Sequence, residues 1–185
     1  MTISTPTTAG QILTSAYVNN NINSGLVYID QASFSASSNA AINGVFSSTY
    51  TNYRVVFYAT RSTTNGVTMR LRVGTSDDTN ATYGNQYATI SNATWSAASQ
   101  NLTAFNFNGT TDSGSLSVTF DIFNPNVAVN TLLSGESTQG IYATAAAPSL
   151  FWGRKADTLQ YTGLNFIPST GTLTGTVQVY GYRIP

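Results

Sequence analysis

The chain has 185 residues, carries 7 Lys or Arg against 7 Asp or Glu, and contains neither His nor Cys. These counts exclude disulfides, the usual zinc and iron–sulfur ligand sets, and catalysis by thiol or imidazole. With zero formal charge, the chain has no electrostatic footprint for a nucleic-acid partner. No apolar run approaches the ~20 residues of a membrane-spanning helix, so we expect no membrane insertion, and we expect no cofactor. Only 8% of the residues are charged, against about 25% in an ordinary domain. Ser, Thr and Asn supply 68 of the 185 residues, so the polar surface consists mainly of hydroxyls and carboxamides.

Residues 1–25 form an N-terminal segment that is rich in Thr and Asn and has no secretory-signal pattern. A brief helix is predicted to run to about residue 22, with Thr14 as its N-cap or, alternatively, with a capping box of Thr8 and Gln11. Such a short helix is stable only when it docks on something. The segment is therefore either a frayed terminus or an attachment and oligomerisation segment, whose apolar stripe consists of Ile12, Leu13, Ala16, Tyr17 and Ile22.

From residue 26 onward, apolar side chains recur at every second position, the period of a strand with one buried face. The alternation is clearest in 53–59, 67–73, 116–122 and 173–182; in the first of these, Val56 and Tyr58 predict burial of the second face as well. Weaker strands are predicted around 26–35, 40–46, 83–91, 101–108, 131–135, 140–146 and 159–167. About ten or eleven short strands indicate an all-β, jelly-roll-like antiparallel sandwich over residues 26–185.

Three arginines lie on the polar faces of predicted strands: Arg54, Arg70 and Arg72. They either protect exposed sheet edges from pairing with another chain or form an anion site, and edge protection is the favoured interpretation. Asp121 occupies the outward parity of its own strand. We therefore expect Asp121 to pair with one of these arginines across neighbouring strands.

The carboxylates give little indication of catalysis. A glycosidase needs two of them across a cleft, whereas Asp77, Asp78 and Asp112 lie in Gly-, Ser- and Asn-rich stretches where Asp is an ordinary turn residue. The protein is therefore expected to be non-enzymatic. The cluster at 77–80 also offers hard oxygen ligands for calcium, but it lacks the EF-hand spacing, and we interpret it as a solvated loop without a metal.

Aromatic residues in polar surroundings are the candidate contact residues. Tyr and Trp beside Asn and Ser are equally suited to sugar binding, to a subunit interface and to packing under a long loop. All three interpretations stay open for the four candidates: Tyr83, Tyr87, Trp95 and Trp152.

Two stretches resemble a known family. Residues 8–14, TAGQILT, followed by three Asn at 19–21, are similar to the AGQxLTAxxxN leader of many tailed-bacteriophage structural proteins. Residues 26–29, 42–55 and 166–183 resemble the beginning and the end of a phage tail-fibre or minor structural β-sandwich family. The resemblance implies a virion protein, made in the bacterial cytoplasm, with an attachment leader, a terminal jelly roll and no catalytic motif.

From the resemblance we expect a tail-fibre or appendage protein that binds the host surface, with glycan as the ligand. A homotrimer is expected by analogy with phage fibre heads, attached to other virion proteins through residues 1–25. The alternatives are a capsid-decorating or head-vertex protein of the same fold, a polysaccharide depolymerase, and a bacterial lectin, which the absence of a secretory signal disfavours.

Overall fold

The structure is a computed structural model that describes residues 25–63, 66–89, 94–95, 99–107, 114–141 and 145–183. The predicted N-terminal helix and its apolar stripe (Ile12, Leu13, Ala16, Tyr17 and Ile22) lie outside the described residues, as does Asp112. The described residues form no helix. They form fourteen strands: β1 (Leu26–Ser37), β2 (Ala40–Ile42), β3 (Asn52–Arg61), β4 (Val67–Val73), β5 (Ser76–Asp77), β6 (Tyr83–Thr89), β7 (Thr94–Trp95), β8 (Ser99–Leu102), β9 (Phe105–Asn106), β10 (Ser115–Phe123), β11 (Thr131–Ile141), β12 (Ala145–Lys155), β13 (Gly163–Pro168) and β14 (Leu173–Tyr182).

The strands make two antiparallel sheets packed face to face. The larger sheet has the order β1-β14-β3-β10-β11-β12-β6-β7, with β8 also paired to β6. The smaller sheet has the order β2-β13-β4-β5, with β9 also paired to β4. Because successive strands pass repeatedly from one sheet to the other, the chain wraps around a shared core. The all-β, jelly-roll-like sandwich predicted from the alternating pattern is confirmed.

The core lies between the sheets and is rich in aromatic rings. Phe57 of β3 stacks on Phe166 of β13 with ring centroids 3.9 Å apart, which joins the two sheets near the centre. The inward residues of 53–59, 116–122 and 173–179 are buried at the positions that the alternation predicts. Each fully buried Phe contributes about 1.5–3 kcal/mol relative to an exposed one, so this face holds the fold together.

Two details of the predicted pattern are wrong. Tyr58 is 48% exposed, because the second face of β3 points outward from the sandwich rather than into a second core. Val73 is also exposed, because it ends β4 at the rim of the smaller sheet.

The region from 131 to 155 also differs from the prediction. In place of separate strands at 131–135 and 140–146, β11 and β12 form a long hairpin and pair from Thr131↔Lys155 to Ile141↔Ala145. Strand β12 starts with three alanines and Pro148, residues that strands normally disfavour. Among the described residues, the pairing of β12 with β6 begins at Ser149, so no described ladder bond on that side needs the N–H that Pro148 lacks.

The edge-protection hypothesis for the arginines is wrong. Arg54 lies in β3, which has β14 on one side and β10 on the other. Strand β4 is bordered by β13 and, on its other side, by β5 and β9. Arg70 and Arg72 instead make specific contacts: Nε of Arg70 donates to the Thr103 carbonyl at 3.1 Å, and Arg72 forms a salt bridge with Asp77.

Candidate ligand-binding face

Trp152 stands on the outer face of the larger sheet. Along β12, Phe151 and Lys155 point into the core, whereas Leu150, Trp152 and Arg154 point outward. Trp152 is 40% exposed although β12 lies inside the sheet, between β11 and β6. Its indole lines two grooves, one on each side. The strand thus presents a large flat ring at the wall shared by two concave surfaces.

The first groove, called the Arg154 groove, lies over β12, β6 and β8 and has a volume of about 460 Å³. Gly84 of β6 lies directly opposite Arg154 in the pairing and puts no side chain into the space beside it. The polar side chains that line the groove include Thr82, Asn85, Ser99, Gln100, Asn101 and Arg154. A ligand here meets an indole, a guanidinium and several amide or hydroxyl groups.

A β-bulge shapes the polar wall of the Arg154 groove. Between two paired positions, β8 contains one residue more than β6. Asn101 in this stretch has φ 58°, a left-handed conformation that Asn tolerates better than most residues. A Cβ on Gly84 would come within 3.1 Å of the Ser99 carbonyl oxygen, so glycine lets the two backbones approach closely. Bulges of this kind re-aim side chains near functional sites, and this one lies beside the groove.

Arg154 supplies the charge of this groove. It is exposed, forms no salt bridge with any described residue, and is the only charged side chain among the described residues that line the groove. Asn85 is already engaged, since its side chain exchanges hydrogen bonds with the backbone of Asn106 at 3.2 and 3.3 Å. The groups that face a ligand are therefore Trp152, Arg154 and the polar residues of β8.

The second groove, called the Asp121 groove, has a volume of about 350 Å³ and is lined by Arg54, Asp121, Glu136, Leu150 and Trp152. Arg54 and Asp121 lie opposite each other on β3 and β10. Nε and Nη2 of Arg54 each donate to one carboxylate oxygen at 2.8 Å. The predicted pairing of Asp121 with an arginine on a neighbouring strand is confirmed.

The Asp121 groove is acidic. Burial alone would raise the pKa of Asp121, but hydrogen bonds from Arg54 and from the Tyr182 hydroxyl, at 2.6 Å, hold that pKa below its ordinary value. Asp121 is therefore ionised at neutral pH. With Glu136 present and Arg54 already paired, the lining of this groove has one negative charge more than positive.

The outer face of the larger sheet around Trp152, which carries both grooves, is called the Trp152 face. On the opposite, core side of the sheet lies a buried ionic group, called the Lys155 cluster. The ammonium of Lys155 is 2.8 Å from Asp78 Oδ2 and 2.8 Å from Asp157 Oδ2. It also donates to the Thr82 hydroxyl. The members of the cluster are Thr82, Asp78, Lys155, Asp157 and Tyr161. A lysine with 0% side-chain exposure is tolerated because carboxylates and a hydroxyl surround it.

The Tyr161 hydroxyl bridges the two carboxylates, 2.6 Å from Asp78 Oδ2 and 2.9 Å from both oxygens of Asp157. Burial, and the same hydrogen bonds to the two anions, raise the pKa of Tyr161. Burial alone would raise the pKa values of Asp78 and Asp157, but the bonds from Lys155 and Tyr161 outweigh it and lower both. The cluster ties the segment after β5 to the end of β12 and to the loop before β13.

The interpretation of Asp77 and Asp78 as a solvated loop is wrong. Asp78 is buried and bound to Lys155, while Asp77 is 2.9 Å from Nε of Arg72. Each carboxylate therefore faces a cationic side chain of its own chain. In the described part of the chain, no group of three or more Asp or Glu residues is placed to hold a metal ion.

The four predicted aromatic contact residues lie on neighbouring strands but differ in accessibility. Tyr83 belongs to the core with 0% exposure, so its ring is unavailable to a surface ligand; its hydroxyl donates to the Asp78 carbonyl and accepts from Leu71 N–H. Tyr87 is half-buried and packs against the core. Trp95 pairs with Ala88 through its backbone, and its side chain lies outside the described residues. Of the three side chains described, only that of Trp152 is exposed.

Sequence reasoning missed the partners of Trp152. Gln100, Asn101 and Arg154 become neighbours of the indole only because β6 pairs with both β8 and β12. The available signal was the alternation of Trp152 and Arg154 with Phe151 and Lys155, which marks an outward and an inward face of one strand. The sequence pattern predicts no strand over 151–155, so it does not distinguish the two faces of this segment.

Comparison of the chain with protein-family models, with curated proteins and with solved structures finds no match. None of the described residues forms a helix with the length and apolar character needed to cross a bilayer. The function is therefore inferred from the chemistry of the two grooves and from the resemblance given above.

Proposed function

We propose that the protein is a non-enzymatic structural protein of a bacteriophage virion, an appendage that binds host-surface glycan through Trp152. The observation that carries the binding proposal is the exposed indole at the wall shared by the two grooves. Ligand sites typically combine apolar or aromatic surface with a few convergent polar groups, and the Trp152 face has this composition.

The Trp152 face is chemically complementary to a sugar. An indole offers a flat apolar surface with a polar N–H, suited to the C–H face of a pyranose ring. The amides of Gln100 and Asn101 can both donate to and accept from sugar hydroxyls. Recognition then depends on stacking plus neutral hydrogen bonds, and no bond in the ligand needs to be broken.

The pKa values of three of the carboxylates support binding without hydrolysis. A glycosidase needs one carboxylic acid that keeps its proton near neutral pH, usually through a raised pKa. The pKa values of Asp78, Asp121 and Asp157 are all lowered, because Lys155 or Arg54 stabilises their charged forms. These three residues are therefore suited to structural ion pairs rather than to donating a proton.

The virion assignment rests on the resemblance of residues 8–14, 26–29, 42–55 and 166–183 to phage structural proteins. We infer that residues 1–25 attach the protein to other virion components and that the body is a homo-oligomer, with a trimer favoured. The low charge supports assembly, since burying an ion costs several kcal/mol whereas hydroxyls and amides are cheaper to bury.

The binding proposal is tested with the full chain on a microarray of bacterial surface polysaccharides. We expect Trp152→Ala to weaken binding about tenfold or more, because a central aromatic residue carries much of the energy of a binding surface. Tyr28→Ala is the matched control, since Tyr28 is an exposed aromatic residue of β1, at the opposite edge of the same sheet. Equal binding by both variants and the wild type would contradict the proposal.

A capsid-decorating protein is the second candidate, because Leu132 and Leu150 are exposed on the same face and an apolar patch suits a protein interface. Antibody labelling of purified particles distinguishes the two: label on the tail supports an appendage, and label on the head supports decoration. Shortened polysaccharide chains after incubation with the protein would instead support a depolymerase.

A further inference from the structure

We infer that the ligand of the Arg154 groove is an acidic saccharide, one whose sugar ring stacks on Trp152 while its carboxylate binds Arg154. The inference rests on the proposed glycan-binding function and adds the chemical class of the sugar.

The first argument is the state of Arg154. The other basic side chains that line a groove or lie near one are engaged: Arg54 with Asp121, and Lys155 with Asp78 and Asp157. Arg154 is exposed and forms no salt bridge within the described part of the chain. A guanidinium presents a planar fork of N–H donors that matches a carboxylate in a bidentate arrangement.

The second argument is the contrast between the two grooves that share Trp152. The described lining of the Arg154 groove contains one cation and no anion. The described lining of the Asp121 groove contains two anions, Asp121 and Glu136, and one cation, Arg54. An acidic sugar is attracted to the first groove and repelled by the second, so charge determines on which side of the indole the acidic group lies.

The third argument is the space beside Arg154. Its direct neighbour on β6 is Gly84, which has no side chain to cover or pair with the guanidinium. The bulge in β8 brings Gln100 and Asn101 to the opposite wall. Their amides bind ring hydroxyls equally well in a neutral and in an acidic sugar, whereas the guanidinium distinguishes the carboxylate.

The test compares one polysaccharide in two forms: a polyuronate and the same polymer after reduction of its carboxyl groups. We expect the wild-type full chain to bind the polyuronate about tenfold or more tightly than the reduced polymer, with the preference weakening as salt is added. Arg154→Gln should lose this preference while still binding the reduced polymer. Arg54→Gln is the matched control, because it removes the same charge from the Asp121 groove and should keep the preference.

The outcomes separate the two proposals. Equal binding of both polymers, weakened in each by Trp152→Ala, would overturn the acidic class and leave glycan binding standing. Binding to neither polymer, together with no effect of Trp152→Ala on the polysaccharide microarray, would overturn both. Self-association that depends on Trp152, without any glycan binding, would assign the face to a second copy of the chain and likewise overturn both.

Discussion

Two ionic groups of similar composition lie on opposite faces of the larger sheet. The Lys155 cluster and the pair Arg54–Asp121 each combine a basic side chain with at least one carboxylate and a tyrosine hydroxyl. They differ in burial: the Lys155 side chain is 0% exposed, whereas that of Arg54 is 39% exposed. The buried Lys155 cluster therefore fixes the positions of the loops that it joins. The solvent-accessible Arg54–Asp121 pair instead contributes to the charge of a groove.

The largest expected effect is on the buried group. Lys155→Met leaves Asp78 and Asp157 without their cation, and we expect the free energy of unfolding to fall by about 3–5 kcal/mol. The neighbouring outward substitution Arg154→Met is the control and should change it by no more than about 0.5 kcal/mol. Urea unfolding followed by fluorescence measures the free energy of unfolding of both variants. Equal stability of Lys155→Met and Arg154→Met would contradict the prediction.

The next largest expected effect is the dependence of stability on pH. Because the pKa values of Asp78 and Asp157 are lower folded than the ordinary 3.8, the unfolded chain takes up protons first as pH falls. Their stabilisation is thus complete well above pH 3.8 and is lost as pH falls through the folded values. Urea unfolding from pH 7 to pH 3 should show this loss in the wild type. The Asp121→Asn variant should keep most of this acid-dependent loss of stability. If the stability of Asp121→Asn did not depend on pH, the loss would instead come from the exposed Arg54–Asp121 pair.

Two tyrosines allow a matched test with a smaller change. Tyr161→Phe removes the hydroxyl that donates to both carboxylates of the Lys155 cluster, and should cost about 1–3 kcal/mol. Tyr182→Phe removes a hydroxyl that donates to Asp121, whose side chain is 22% exposed, and should cost less than about 1 kcal/mol. Thermal unfolding midpoints show which variant is less stable, and we expect the lower midpoint for Tyr161→Phe. A lower midpoint for Tyr182→Phe would contradict the prediction.

The smallest expected effect is the coupling between Arg54 and Asp121. Solvent screens this pair, so a double-mutant cycle with Arg54→Met and Asp121→Asn should give about 0.2–1 kcal/mol. A coupling as large as the loss in Lys155→Met would mean that burial does not separate the two groups.

The sequence was sufficient for the parts of the fold that depend on local alternation. The inward positions of 53–59 and 116–122 could be predicted because a strand turns every second side chain to the same face. The pairing of Arg54 with Asp121 could be anticipated from polar-face parity, since both residues lie on strands with strong alternation.

The Lys155 cluster and the Arg154 groove could not be predicted. Lys155 contacts Thr82, which is 73 residues earlier in the chain, so no local pattern relates them. A charged residue in an alternating segment is normally assigned to solvent, and only the tertiary arrangement shows that this one points inward. Most of β12 lies beyond the predicted strand at 140–146, because Ala147 and Pro148 have a weak strand preference, which tertiary pairing overrides.

The most direct test of the account is a crystal structure of the full chain with an acidic oligosaccharide selected from the polysaccharide microarray. We expect a sugar ring against the indole of Trp152, a carboxylate within hydrogen-bond distance of the Arg154 guanidinium, and intact glycosidic bonds. A sugar bound elsewhere on the sandwich, or a cleaved chain in the Asp121 groove, would contradict it.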